Sequence, residues 1–346
     1  MGDSETRIPA GEQLAGADGE EEPRRPAVTV CLPVSRGVEP LSRALRSVLA
    51  QDLHDVEVII GDETGQFRSL IESIGDERIV YRHNEQRLGY GLNHVTLLDC
   101  ATGRHLAVLH DDDWWDPQYL STLVAALDAD PALGVACSAV SRDLDGESGR
   151  RLAPWPIPLE PGRNDDVLPV LLREEWFLLP TACVWRRQVW SGQARQWHLD
   201  LRTTDLQLFL SAAEAGWSFY FHPDPLAHWV QHPGQSGASR GGDFGMAAAD
   251  DALEFWRRWL QGRPAEYGDL SSKQRAQCHL RRARAFVLTG RRAEARSALR
   301  EATALGGRRL SGRLRLAVAV HVPSQIVRGL VGAKRMMQRA VGRLES

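Results

Sequence analysis

Three successive carboxylates, Asp111, Asp112 and Asp113, follow the apolar segment Leu106–Leu109. Like charges at adjacent positions repel one another, and a fold tolerates them most readily when a divalent cation lies among them. Mg²⁺ or Mn²⁺ prefers carboxylate and phosphate oxygens and would neutralise charge on a diphosphate group. The alternative is that the run caps a helix beginning near Pro117, although capping needs only one acid. The run therefore predicts metal and nucleotide chemistry.

A second acidic segment, Gly61-Asp62-Glu63-Thr64-Gly65, follows an apolar run that ends at Ile60. From Ala27 onward, short apolar runs alternate with amphipathic stretches, which predicts an α/β fold with a mostly parallel sheet and helices on both faces. In such sheets ligands bind beyond the carboxyl ends of the strands, where both acidic segments are predicted to lie. The predicted strands are Val28–Leu32, Val56–Ile60, Ile79–Arg82, Leu106–Leu109, Val135–Ser138, Ala182–Trp185, Trp217–Phe221 and Leu226–Val230. The predicted helices among them are Leu41–Ala50, Gln66–Ile74, Leu92–Ala101, Pro117–Leu127 and Asp205–Ala215.

The two ends of the chain differ in composition from this alternating region. Residues 1–26 contain few large apolar side chains, which predicts a flexible leader. Residues 27–240 form the predicted catalytic domain, with a nucleotide-binding half (27–140) and an acceptor half (141–240) that begins with a proline-rich loop. Residues 250–346 are predicted to be helical and basic, with one helical hairpin, Ala276–Leu288 and Ala293–Ala304, around Gly290.

Charge is unevenly distributed along the 346 residues. The net charge of −3 combines about −16 in the first 280 residues with about +13 in the rest. This asymmetry argues against nucleic acid as a partner of the acidic body, and it predicts a peripheral membrane contact or an acidic partner for the basic end. The five cysteines are scattered, and no apolar run of about 18 residues occurs. Both observations favour reduced cysteines and a cytoplasmic location.

Four segments in order resemble the N-terminal half of the family 2 glycosyltransferases. They are Val28–Val34, Ser47–Gln51, Val56–Glu63 and the strand that ends in the Asp111-Asp112-Asp113 run. The resemblance covers roughly residues 27–240. It implies a GT-A fold, a nucleoside-diphosphate sugar as donor, Mn²⁺ or Mg²⁺ as cofactor, and inversion at the anomeric carbon. The acceptor would be a glycan, a lipid-linked molecule or a small molecule.

On the donor side, the resemblance implies that Pro33 borders the nucleotide and that Asp62 and Glu63 hold the base, with Glu63 replacing the usual Asp. A turn with two solvated acids is the alternative for this pair. Gly89 and Asn93 resemble the region that leads into a helix beside the donor. Arg87 is a weak substitute for the basic residue usually found in that helix.

In the acidic run, Asp112 matches the main metal ligand of the family, Asp113 lies beside it, and Asp111 would serve the sugar or ribose. His110 occupies a position where the family usually has Asp, and we favour a packing role for it. His232, in the segment His228–Ser236, matches a histidine that approaches the metal or diphosphate. Its alternative is an idle residue of an exposed turn.

Asp205 resembles the catalytic Asp of the family, with Thr204 in place of the preceding Glu. Inverting transfer needs a carboxylate that takes the proton from the acceptor hydroxyl. The alternative is that Asp205 is an N-cap or a first-turn acid, with Thr203 or Thr204 sharing that role. Aromatic side chains of the acceptor half could stack on sugars, although each is more simply explained as a core residue; these are Trp176, Trp197 and Trp217.

Two other functions are compatible with parts of this pattern. A sugar nucleotidyltransferase would need a glycine-rich triphosphate loop after the first strand, and Pro33–Gly37 is too short and too poor in glycine. A degenerate transferase domain that acts as a binding or scaffold module is the second alternative. His110, Glu63 and Thr204 are the departures that favour it.

Overall fold

A mixed β-sheet with helices on both faces forms the centre of the protein. The computed structural model describes residues 25–305 except 36, 145–150, 154, 175–176, 192–199 and 232–242. Within these residues, ten strands form one sheet: β1 (Val28–Val34), β2 (Val56–Asp62), β3 (Ile79–His83), β4 (His105–Val108), β5 (Trp114–Trp115), β6 (Leu133–Leu144), β7 (Arg151–Leu152), β8 (Gly162–Asn164), β9 (Cys183–Arg186) and β10 (Ser218–Gln231).

The strands lie in the order β3-β2-β1-β4-β9-β6-β10-β5, with β7 paired to β6 and β8 to β10. The pairs among β3, β2, β1 and β4 are parallel, as is the β6–β10 pair. Strand β9 joins these two parallel groups through antiparallel pairing with both β4 and β6. The predicted α/β class with a mostly parallel sheet is confirmed.

The helices that connect the strands are α1 (Val38–Leu49), α2 (Arg68–Ile74), α3 (Tyr90–Cys100), α4 (Tyr119–Ala129), α5 (Leu168–Arg173), α6 (Arg187–Ser191) and α7 (Thr204–Glu214). A 3₁₀ turn spans Pro180–Ala182. The helices α8 (Asp243–Trp259), α9 (Ala265–Leu270), α10 (Ser272–Leu288) and α11 (Arg292–Ala304) follow. The predicted hairpin around Gly290 is confirmed by α10 and α11.

Two predicted features differ from the structure. The two short strands predicted at Trp217–Phe221 and Leu226–Val230 are one strand, β10, with register shifts on either side of Pro225. Proline cannot donate to the ladder, so the chain stays extended but bulges there. The helix predicted to open at Pro117 begins two residues later, because Pro117 lies in the turn in which the Tyr119 amide donates to Asp116 O.

Each face of the sheet is covered by its own core. In β1, Val28, Val30 and Leu32 pack on one side with the buried face of α1, whereas Cys31 packs on the other side with α3. Helix α1 buries Leu41, Ala44, Leu45 and Val48, an i, i+3, i+4, i+7 pattern that places one stripe against the sheet. Because both faces are covered, most residues of the central strands are apolar and buried.

Helix α8 belongs to the second of these cores, to which it contributes Phe255, Trp256 and Trp259. Helices α10 and α11 form a smaller cluster that includes Phe286 and Ala298. All five cysteines are free, as predicted. No helix among the described residues is both long and apolar enough to cross a bilayer. The predicted leader and the basic end beyond residue 305 lie outside the described residues, and the boundary at 240–250 stays a prediction.

Gly103, two residues before β4, gives a test of the packing against β1. A Cβ at this position would lie 2.7 Å from the carbonyl carbon of Val28 and closer still to the amide nitrogen of Thr29. Because both neighbours are backbone atoms of a central strand, we expect Gly103→Ala to lower the free energy of unfolding by about 2–3 kcal/mol, measured by urea denaturation.

Gly268 in α9 provides the matched control, since a Cβ there meets no atom within 4 Å. Gly268→Ala should be neutral or should stabilise by up to about 1 kcal/mol. Equal stabilities of the two variants would contradict the packing described for β1 and β4.

Candidate active site

The carboxyl ends of β2, β1 and β4 lie side by side at one edge of the sheet. In the parallel register, Pro33 is opposite Gly61 and Val34 is opposite Asp62. On the other side of β1, the amide of Leu109, just after β4, donates to Cys31 O. The chain continues from Leu109 directly into His110 and the acidic run. The two acidic segments predicted from the sequence are therefore brought to the same edge.

The acidic run is buried and is held by groups from the β1–α1 region. An oxygen of Asp111 accepts a hydrogen bond of 2.7 Å from the amide of Ser35. The guanidinium of Arg43 in α1 donates to the backbone carbonyl of Asp112 at 2.9 Å. Helix α4 has Gln118 at its N-cap and no acid in its first turn. The interpretation of the run as a helix cap is therefore wrong.

Asp113 is the most deeply buried acid of the run, with 1% of its surface exposed. Its Oδ1 accepts a hydrogen bond of 3.0 Å from the amide of Val230 in β10. Its buried Oδ2 accepts no hydrogen bond from the described part of the chain. Burial and the negative charge of Asp112 raise the pKa of Asp113. A buried carboxylate oxygen without a donor fits a cation ligand, because a cation would provide the charge compensation that the protein leaves incomplete.

His110 contacts this run, which differs from the packing role predicted from the sequence. Its Nδ1 lies 3.7 Å from Asp113 Oδ2, and its Nε2 lies 3.3 Å from Nε2 of His94. Ligand atoms of His110, Asp112 and Asp113 all lie within 4.8 Å of one another. Burial alone would lower the pKa of His110, but the adjacent carboxylates outweigh this effect and raise it.

His94 is a site residue that the sequence reasoning missed. It lies in α3 directly after Asn93 and is buried beside the acidic run. Arg87, considered as the basic residue of this region, instead lies at the exposed surface, 3.9 Å from Glu63. The sequence contained one indication of this position, because His94 is a titratable residue that follows Asn93 in the helix predicted to lie beside the donor.

Asp62 shapes the loop that follows β2. Its side chain accepts five hydrogen bonds: from the amides of Thr64, Gly65 and Phe67 and from the hydroxyls of Thr64 and Tyr81. Burial alone would raise the pKa of Asp62, but these bonds together lower it. The carboxylate has no exposed surface. Asp62 is therefore not a solvated turn acid.

Glu63 and Asn93 connect this loop to α3. The Glu63 carboxylate accepts a hydrogen bond of 2.6 Å from the amide of Gly89, which has a φ of 80° at the N-cap of α3. The Asn93 side chain donates to Gly61 O at 3.3 Å and accepts from Asn84 at 3.1 Å. Together with Pro33, these residues line the same strand-end region.

Asp205 lies in the first turn of α7, which has Thr203 at the N-cap position. First-turn acids are normally stabilised as anions, which lowers their pKa. Here burial outweighs that effect and raises the pKa of Asp205 to about 6, while its electrostatic interaction with His110 lowers it. Asp205 therefore lies within electrostatic range of His110, which contacts the acidic run. Asp205 is not the N-cap of α7, whereas the alternative of a first-turn acid, with Thr203 at the N-cap, describes its position correctly.

Several other predicted residues have different outcomes. His232, Trp176 and Trp197 lie outside the described residues. Trp217 packs against the second core, as its simpler interpretation predicts. His228 is buried between two acids, with its Nδ1 3.0 Å from Asp143 and its Nε2 3.3 Å from Asp116.

Sequence comparisons agree with the resemblance. Residues 29–190 match the model of Glycosyl transferase family 2. The chain is 28% identical over 181 residues to the uncharacterized protein MT1568 of Mycobacterium tuberculosis (strain CDC 1551 / Oshkosh), which covers 48% of this chain and 56% of that protein. It is 30% identical over 104 residues to WcaA of Escherichia coli (strain K12), which is named for glycosyl transfer in colanic acid biosynthesis. This match covers 29% of this chain and 37% of WcaA. The chain thus spans about half the length, or less, of these relatives.

Solved structures share the fold. TarS 1–349 of S. aureus has a TM-score of 0.57 at 14% identity, and the match covers 80% of each chain. TarS 1–349 in complex with UDP-GlcNAc has a TM-score of 0.56 at 14% identity, over 80% of this chain and 81% of that one. The mannosyltransferase PcManGT of Pyrobaculum calidifontis, in complex with GDP-Man and Mn²⁺, has a TM-score of 0.54 at 17% identity, over 87% of this chain and 88% of that one.

The α/β sheet with an acidic run at its carboxyl edge is that of a GT-A protein. Over residues 29–190 the chain is similar to glycosyltransferase family 2.

The hydrogen bonds of Asp62 give a stability prediction. We expect Asp62→Asn to lower the free energy of unfolding at pH 7 by about 2–3 kcal/mol, because the amide nitrogen would face N–H and O–H donors. Tyr81→Phe removes one of the five donors and should lower it by only about 1 kcal/mol. Urea denaturation of both variants checks this order.

The pH dependence follows from the lowered pKa of Asp62. A group with a lowered pKa stabilises the fold above its unfolded pKa of about 4, and this contribution is lost as the pH falls. The stability difference between wild type and Asp62→Asn should therefore narrow below about pH 4. A difference that stays constant from pH 7 to pH 3 would contradict the role given to the carboxylate.

Proposed function

We propose that this protein is an inverting glycosyltransferase that moves a sugar from a nucleoside-diphosphate sugar to an acceptor hydroxyl. The observation that most strongly supports this proposal is the environment of Asp205. Its carboxylate is desolvated and interacts electrostatically with His110, which itself contacts the acidic run. A metal and diphosphate site next to a carboxylate with a raised pKa is the arrangement that this reaction needs.

The donor would bind along the strand-end region formed by β1, β2 and α3. Pro33 would border the nucleotide, and the Asp62–Glu63 segment would flank the base. Because the five hydrogen bonds that Asp62 accepts come from its own loop and from Tyr81, its contribution would be to fix the loop that presents Glu63. Gly89 and Asn93 would hold the start of α3 against this loop, and Asp111 would face the ribose or sugar.

Asp112 and Asp113 would hold a divalent cation, with His232 as a further candidate ligand. When bound, Mn²⁺ or Mg²⁺ would neutralise the charge that develops on the diphosphate leaving group. The fit rests on the buried Asp113 Oδ2, which lacks a hydrogen-bond donor within the described residues. The bond of Asp113 Oδ1 to Val230 keeps its carboxylate in place before any ligand arrives.

Asp205 would act as the general base. Its carboxylate would take the proton from the acceptor hydroxyl as the hydroxyl oxygen attacks the anomeric carbon from the face opposite the diphosphate. A pKa of about 6 keeps this carboxylate ionised at neutral pH and makes it a stronger base than an ordinary aspartate. The first turn of α7 holds it through the bond from the Leu206 amide at 3.0 Å.

The donor is proposed to be a UDP- or GDP-sugar, in keeping with the ligands named for TarS and PcManGT. The acceptor is proposed to be a glycan, a lipid-linked molecule or a small molecule. We propose a cytoplasmic protein that reaches the inner face of the membrane through its basic end. The net charge of about −16 in the first 280 residues disfavours nucleic acid as an acceptor.

Calorimetry with UDP and with GDP, with and without Mn²⁺, tests the donor site. We expect nucleotide binding that requires Mn²⁺ and is weakened about 10-fold or more by Asp112→Asn. Glu266→Gln, an exposed change in α9, is the control and should bind like wild type. Binding that is absent, or that ignores Mn²⁺, would favour the scaffold alternative.

Asp205→Asn tests the catalytic base. We expect kcat to fall by about 10³-fold while the affinity for the nucleotide with Mn²⁺ stays unchanged. In the wild type, kcat/KM should decrease as the pH falls below about 6, because the base becomes protonated, and Asp205→Asn should lose this dependence. Sugar transfer at the wild-type rate by Asp205→Asn would refute the assignment.

The same variant has a stability readout that separates lost catalysis from lost folding. The folded pKa of Asp205 lies above its ordinary value of about 4, so this group progressively destabilises the fold as the pH rises from about 4 to about 6, and its full cost is present above that. Replacing it with Asn removes that cost. The Tm of Asp205→Asn at pH 7.5 should therefore equal or exceed that of the wild type.

A further inference from the structure

The acidic run lies beside two histidines whose rings contact each other. Nε2 of His94 and Nε2 of His110 are 3.3 Å apart, and the rings meet edge to face at 74°. The other nitrogen of His110, Nδ1, lies 3.7 Å from the buried Oδ2 of Asp113. His110 thus connects α3 to the one oxygen of Asp113 that accepts no hydrogen bond within the described residues.

This arrangement matches the way proteins hold a metal-ligating histidine. Such a histidine binds the metal through one ring nitrogen and makes a hydrogen bond through the other, which fixes its tautomer and its ring orientation. The contact between the two Nε2 atoms requires one of them to donate. If the donor is His110, its Nδ1 is unprotonated, and this nitrogen lies 3.7 Å from Asp113 Oδ2.

We propose that His110 Nδ1 is a nitrogen ligand of the cation at Asp112 and Asp113, and that His94 is the positioning residue that accepts the Nε2–H bond. This inference rests on the proposed function. Two buried oxygen ligands and one imidazole within 4.8 Å of one another form a mixed nitrogen and oxygen site. With His110 in place of the usual acid, a nitrogen ligand replaces an oxygen ligand at this position.

The consequence is a change in metal selectivity. Mg²⁺ strongly prefers oxygen ligands, whereas divalent transition metals accept imidazole. A mixed site should therefore select Mn²⁺ and later transition metals over Mg²⁺ more strongly than an all-carboxylate site would. Asp111 Oδ2 accepts a hydrogen bond from the amide of Ser35, and the group of ligand atoms within 4.8 Å of one another consists of His110, Asp112 and Asp113.

Pulsed electron paramagnetic resonance of bound Mn²⁺ tests the ligand directly, because a coordinated imidazole gives a ¹⁴N coupling. The sample is the full chain with Mn²⁺ and UDP. We expect the coupling in the wild type, its loss in His110→Asn, and its retention in His54→Asn. His54 is an exposed histidine that precedes β2, at the opposite edge of the sheet from the site.

Two further variants separate ligation from general damage. His110→Asp should abolish the ¹⁴N coupling but still bind Mn²⁺, and the ratio of Mg²⁺ to Mn²⁺ affinity should rise by about 10-fold. His94→Leu should weaken Mn²⁺ binding by about 10-fold, and His94→Gln, which retains an acceptor oxygen, should restore part of it.

The outcomes distinguish this inference from the proposed function. Nucleotide and Mn²⁺ binding without a ¹⁴N coupling, or with a coupling that persists in His110→Asn, would overturn the nitrogen ligand and leave the donor site intact. A chain that binds neither Mn²⁺ nor nucleotide would overturn both. An unchanged Mn²⁺ affinity in His94→Leu would overturn the positioning role of His94.

Discussion

The concentration of negative charge at one buried edge of the sheet is the constraint on which the rest of this structure depends. Asp111, Asp112 and Asp113 are all buried, and buried like charges destabilise a fold unless donors or cations compensate them. Two backbone amides compensate part of this charge: the amide of Ser35 donates to Asp111, and the amide of Val230 donates to Asp113. Within the described residues Asp113 Oδ2 accepts no hydrogen bond, and a buried carboxylate oxygen of this kind is suited to bind a cation.

The donors that hold the acidic run come from both halves of the fold. Ser35 follows β1, whereas Val230 lies in β10, 117 residues away from Asp113. Strand β5, directly after the run, pairs with β10 through Trp114 and Trp115. The ring of His228 stacks on Trp114 with a centroid distance of 3.5 Å. The position of the acidic run is therefore set by β5 and β10 as much as by the segment that follows β1.

Local patterns predicted much of this fold, because they depend on neighbouring residues. The alternation of buried strands with amphipathic helices located most elements to within a few residues, and three adjacent acids identified the site edge. The contact of Asp113 with Val230 could not be predicted, because it depends on how β10 pairs with β5. The approach of His94 to His110 likewise depends on the packing of α3 on the sheet. A single histidine in a helix gives no sign of such a partner.

Helix α8 shows that the surroundings of Asp205 depend on residues beyond the family-matched range. The ion pairs of Arg258 with Asp200 and of Arg202 with Asp251 connect α8 to the segment before α7, at 3.0 and 3.7 Å.

At the other end of α7, Arg263, just after α8, pairs with Glu214 at 2.8 Å. Exposed pairs of this kind contribute little individually, but they flank an apolar contact in which Trp256 and Phe209 share one core. Helix α7 is thereby fixed at both ends and along its buried face. The burial that raises the pKa of Asp205 depends on where α7 lies, so the base strength of this carboxylate is determined in part by a helix that follows the sheet in the chain.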